Sequence, residues 1–187
     1  MGGGYTWHDV SGHRAVAFAT LSERLDASYD AGALQAFGEL GYRLEGAGVS
    51  WQPFVNIAHV RLHTDGFAET GGATALTAEA QTMQTTLATL GVRPAMQVDL
   101  GPARATLRGM LGWRHAVGDL IPTTTHRFPG GNAFTAEGAA LAREAAVVEA
   151  GADLAFGHGG VASITYGGQF GDGVTDQRIR VDVRLAF

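Results

Sequence analysis

The chain has 187 residues, a formal charge of −5, 28 glycines and no cysteine. Without cysteine there is neither a disulfide framework nor a Cys-based metal centre, and a hydrophobic content of 45% excludes a disordered chain. The acidic balance argues against a nucleic-acid binder, which would carry a basic patch; all 13 basic residues are arginine.

Period-two alternation, the mark of strands, dominates the chain. A first strand is expected over about Gly4 to Phe18, followed by a long linker near 19–32. In 33–45, Leu34, Ala36, Leu40, Tyr42 and Leu44 oppose Gln35, Glu39, Arg43 and Glu45. The segments 49–63 and 83–97 alternate less regularly, with Pro53 and Pro94 inside them. In 104–117, Leu107, Leu111, Trp113 and Val117 oppose Thr106, Arg108, Gly112 and Arg114. In 145–157, Val148, Ala150, Ala152, Leu154 and Phe156 oppose Glu149, Gly151 and Asp153. In 161–171, Ala162, Ile164, Tyr166 and Phe170 oppose Ser163, Thr165 and Gln169. The cleanest case comes last: Ile179, Val181, Val183, Leu185 and Phe187 alternate with Arg178, Arg180, Asp182 and Arg184. The reading is all-β, with about eight hairpin-connected antiparallel strands.

The connections are asymmetric. Those at 45–48, 98–102 and 157–160 are short, whereas 64–82 and 118–143 are long and rich in Gly, Thr and Ala; 171–176 is the short exception on the long side. Short turns at one end and long loops at the other belong to outer-membrane barrels and are not required of soluble ones. Alternation alone leaves the apolar set facing either a core or lipid. Loop asymmetry and the terminal strand favour lipid. No stretch is apolar for long enough to be a membrane-crossing helix. Met1-Gly2-Gly3-Gly4-Tyr5 also lacks the basic region and apolar core of a signal peptide, so an export signal is expected elsewhere, in a longer precursor.

An ordered set of motifs then carries a family resemblance. They are Gly4-Tyr5-Thr6-Trp7-His8-Asp9, Phe37-Gly38-Glu39-Leu40-Gly41-Tyr42, Gln52-Pro53-Phe54 and Gly109-Met110-Leu111-Gly112-Trp113-Arg114-His115. Gly130-Gly131-Asn132-Ala133-Phe134, Val148-Glu149-Ala150-Gly151 and Val183-Arg184-Leu185-Ala186-Phe187 complete it. Over essentially its whole length the chain resembles the C-terminal β-domain, or translocator, of type V autotransporters. The resemblance implies an up-and-down transmembrane β-barrel in the bacterial outer membrane of a Gram-negative cell, anchoring a passenger in cis and helping it to the surface. It implies outer-membrane lipids and the barrel-assembly machinery as partners, the latter reading Ile179, Val181, Val183, Leu185 and Phe187. The family barrel has roughly twelve strands; residues 1–187 are therefore expected to be a partial β-domain. The alternative is a stand-alone eight-stranded outer-membrane barrel, an adhesin or structural protein.

Candidate chemistry is sparse. His59 and His63 have a zinc-motif spacing without its Glu, and on a strand they stand roughly 13 Å apart. They read as strand-end histidines at headgroup level. Gly157-His158-Gly159-Gly160 resembles an oxyanion loop, but no Gly-x-Ser-x-Gly elbow accompanies it, and a hairpin turn explains it better. The inward charges Glu39, Arg43, Arg108, Arg114, Glu149 and Asp153 read either as a channel lining that holds a plug or passenger, or as lumen filling by mutual ion pairs; the second is slightly favoured. Trp7, Tyr42, Trp51, Trp113, Tyr166 and Phe187 read as interfacial aromatics or as ordinary strand formers. No enzyme, cofactor, metal site, small-molecule substrate or nucleic-acid partner is expected.

Overall fold

The computed structural model describes residues 1–101, 103–157 and 159–185. Every regular element among the described residues is a strand. In chain order they are β1 (Gly2–Phe18), β2 (Leu21–Gly41), β3 (Leu44–Gly46), β4 (Val49–Thr64), β5 (Phe67–Ala68), β6 (Thr77–Ala78) and β7 (Gln81–Leu100). Then follow β8 (Ala103–Gly118), β9 (Thr123–Arg127), β10 (Ala133–Glu137), β11 (Glu144–Phe156), β12 (Gly160–Gly171) and β13 (Val174–Arg184). Eight long strands pair in the order β1-β2-β4-β7-β8-β11-β12-β13, with β3 added beside β4. The expected set of long, hairpin-connected antiparallel strands is therefore present.

One expected linker is strand instead. Residues 19–32 mostly belong to β2, which pairs with β1 from Phe18↔Leu21 to Gly2↔Phe37 around Ala19-Thr20. Ala19 takes a φ of 52°, the left-handed conformation that lets a two-residue turn follow the twist of its strands. The polar density of Ser22, Glu23, Arg24, Asp26, Ser28 and Asp30 suggests a loop, yet the positions between them are apolar. Leu25 is fully buried, and Tyr29 stacks on Phe67 at 4.7 Å. The expected turn at 45–48 narrows to Ala47-Gly48, both with positive φ, because Leu44–Gly46 pairs back on β4.

The long connections 64–82 and 118–143 are also not structureless. They contribute a second sheet in the order β10-β9-β6-β5. Its strands are too short, at two to five residues, for alternation to announce them in the sequence.

Two compact units are distinguished. The first comprises Met1–Phe37, Ala58–Thr86 and Gly118–Ala140, and the second Gly38–Ile57, Leu87–Val117 and the chain from Leu141 onward. Within the second, registers sort side chains onto two faces, because directly opposed residues share a face. One face carries the rows Leu107/Ala152/Ile164/Val181 and Gly109/Ala150/Tyr166/Ile179. The other carries Arg108/Gly151/Thr165/Arg180 and Thr106/Asp153/Ser163/Asp182. The apolar face is bare: Leu111, Ile164, Ile179 and Val181 are 52–73% exposed. A contiguous exposed apolar face is untenable in water and normal in lipid.

Candidate functional site

The polar face of the second unit gathers most of the charges that the sequence singles out. Arg108 bridges Asp153 at 2.8 Å and donates to Thr165 Oγ1 at 3.1 Å. Gly151, opposite Arg108, is what makes room: a Cβ there would sit 2.8 Å from Arg108 Nε. Arg114 donates to Gln169 Oε1 at 2.8 Å and to Thr89 Oγ1 at 3.4 Å. Glu149 shares this face in the row Met110/Glu149/Gly167/Arg178. Arg43 stands apart in the connection between β2 and β3, exposed, with Glu45 at 4.0 Å.

Glu39 has a partner that sequence reasoning missed. Arg93 of β7 grips both its carboxylate oxygens, at 2.6 and 2.9 Å, and Asn56 Nδ2 donates to it at 3.4 Å. The Arg93 guanidinium lies 3.6 Å from the Phe54 ring centroid. Phe54, only 4% exposed, covers Gly91, where a Cβ would meet the ring at 2.8 Å and Leu111 O at 2.6 Å. The available signal was the alternation of Leu90 and Val92 against Gly91 and Arg93, obscured by the adjacent Pro94. Glu39 with Arg93, Arg108 with Asp153, and Arg114 with Gln169 and Thr89 make three bonded groups, and no hydrogen bond or ion pair joins them among the described residues.

In the first unit, a chain segment is strapped to β1 and β2 by carboxylates. Arg14 binds Glu69 through two nitrogens, at 3.1 and 2.5 Å, and donates to Thr74 O at 3.0 Å. Glu23 accepts from Thr74 Oγ1 at 2.6 Å and from the Ala73 and Thr74 amides at 2.9 and 3.0 Å. Glu69 also accepts from Leu76 N–H. The Thr74 hydroxyl and then the two amides hold the Glu23 carboxyl below the usual range, and Arg14 does the same for Glu69. Nothing in composition or spacing pairs residues so far apart in the chain.

His59 and His63 remain separate. His59 Nδ1 contacts Thr86 Oγ1 at 2.9 Å, and His63 contacts Thr82 Oγ1 and Asp65 at 2.8 and 3.1 Å. Phe156 pairs with Gly160, so the glycine-rich segment is a hairpin turn, with Gly157 and Gly159 at positive φ; His158 lies outside the described residues. Ile179, Val181 and Val183 share the apolar face of β13. Leu185 follows the end of that strand, 62% exposed, and Phe187 lies outside the described residues.

A family model described as "Autotransporter beta-domain" matches residues 1–167. Two curated relatives, both named extracellular serine protease from Serratia marcescens, are each 33% identical over 187 residues. That covers 100% of this chain and 18% of each relative.

Proposed function

The chain belongs to the autotransporter β-domain family, the outer-membrane barrels of type V secretion, and on that premise we propose that it anchors a passenger and supports its passage to the cell surface. One observation carries this reading. Long antiparallel strands expose an apolar face, while on the other face charges are paired and hydrogen-bonded. Lipid suits the first face and a hydrated lumen the second.

Arg108, Asp153, Arg114, Glu149 and the Glu39–Arg93 pair would then line that lumen, with Arg43 at its rim. The pairing of Arg108 with Asp153 and of Glu39 with Arg93 favours lumen filling over an open binding site, since groups already bonded to each other are not free to grasp a passenger. The apolar positions Ile179, Val181, Val183, Leu185 and Phe187 would be read by the barrel-assembly machinery, through backbone pairing with pockets for alternate side chains. Outer-membrane lipids would wet the opposite face. The chain would catalyse nothing itself. Residues 1–187 span 18% of the relatives' length, and they would be part of a β-domain because their eight long strands fall short of the family's roughly twelve. A passenger of the kind named in those relatives would lie outside them.

The test is a deletion. In the full-length protein that carries this chain, removing residues 1–187 should leave the passenger inside the cell, inaccessible to added protease. Undiminished surface exposure of the passenger would overturn the reading.

A further inference from the structure

One face of the first unit changes chemistry with position along its strands. The direct pairs Tyr5↔Leu34 and Trp7↔Gly32 lie on it. The two aromatic rings meet edge-on at 4.7 Å and are 48% and 79% exposed. The Tyr5 hydroxyl fills the space over Gly32. In the neighbouring strand, Asp65 N–H donates to Asp30 O. The antiparallel register, carried back from that pair, sets Arg61 of β4 across from Leu34 and His63 across from Gly32. His59 shares this side of β4 by alternation, and the threonines of β7 orient both imidazoles. Two residues further out, about 7 Å along the strands, the same face turns acidic at Asp9↔Asp30 and Asp65.

Arg61 is exposed. Among the described residues, Asp65 is held by His63 at 3.1 Å, and no carboxylate bridges Arg61. An uncompensated guanidinium level with exposed aromatics sits where hydrocarbon gives way to headgroups. Its planar fork matches a phosphate bidentately. The aspartates beyond repel an anion and so confine it to the arginine's level.

We propose that Arg61, with His59 beside it and Tyr5 and Trp7 at the acyl boundary, binds the phosphate-bearing headgroup of the outer leaflet's glycolipid. Thr86 Oγ1 contacts His59 Nδ1; in the tautomer where Nδ1 accepts from that hydroxyl, Nε2–H is a second donor to the phosphate. This rests on the outer-membrane reading above.

The experiment uses the full-length protein purified from membranes in detergent. A bisphosphorylated, acylated glucosamine disaccharide is titrated in, and the unfolding temperature and lipid-bound mass are followed. The dephosphorylated lipid and inorganic phosphate serve as the other probes. The phosphorylated lipid should bind and stabilise the parent, and Arg61→Gln should weaken it about tenfold or more. Neither other probe should act at the same concentration. If Arg61→Gln does not fold, Arg61→Lys is used, where the charge stays and the fork is lost, and binding should again fall. Equal binding by parent and variant, or by phosphorylated and dephosphorylated lipid, overturns the site while leaving the outer-membrane reading intact. Recovery of the protein from the aqueous fraction instead of the membrane overturns both.

Discussion

Removing the Phe54 ring should be the most costly single change on the polar face. The ring is 4% exposed, lies over Gly91 and supports the Arg93 guanidinium at 3.6 Å. Phe→Ala in a closed core costs about 3–5 kcal/mol. Water can enter from a hydrated side and soften the cavity, so about 3 kcal/mol applies. Loss of the cation–π stack adds about 0.5–1 kcal/mol and loosens the arm that holds Glu39. The reciprocal change, Gly91→Ala, pushes a methyl to within 2.8 Å of the ring and 2.6 Å of Leu111 O; overpacking of this kind costs about 1–3 kcal/mol. In the double variant the ring is gone but Leu111 O is not, so only part of the clash is relieved. The pair should therefore cost about 1 kcal/mol less than the sum of the singles. Urea unfolding of the detergent-refolded proteins, followed by tryptophan fluorescence, measures all four corners of the cycle. A loss below 1 kcal/mol for Phe54→Ala would refute the packing argument, and strict additivity would refute the contact with Gly91.

Other expectations follow from the same geometry. Glu39→Gln should cost only about 0.5–1 kcal/mol, because the Glu39–Arg93 pair is a third exposed and partly screened; a loss above 3 kcal/mol would mean a drier site than this. The strap at 69–76 depends on carboxylates whose pKa values are lowered in the folded chain. Its contribution is therefore complete above the unfolded glutamate value near 4.5 and is lost as pH falls below it through the depressed folded values. Limited proteolysis of that segment should be slow at neutral pH and accelerate in acid, with Glu23→Gln/Glu69→Gln already fast at pH 7. Cysteines at Thr70 and Gly131 should label on intact cells and one at His158 should not; the opposite pattern reverses the orientation. Phe187→Asp should lower outer-membrane yield in cells yet leave detergent refolding unchanged, and equal losses in both assays would make the residue merely structural.

Alternation and loop length are local properties, so the sequence alone determined most of the long strands, their two faces and the family. Arg108 and Asp153 could each be set opposite the apolar side of its own strand, since a strand's side chains repeat every two residues. What it could not supply was who meets whom. Arg93 finds Glu39 only through the pairing registers of strands distant in sequence, and Arg14 finds Glu69 only because a connection folds back onto β1. The polar run 19–32 reads as linker until Leu25 and Tyr29 are seen to be covered. The short strands β5, β6, β9 and β10 pair within their own connections and, through β6 and β9, between the two, and no periodicity of two to five residues can declare them. Tertiary structure decided these because burial and partner choice are set by non-local contacts, which no window along the chain contains.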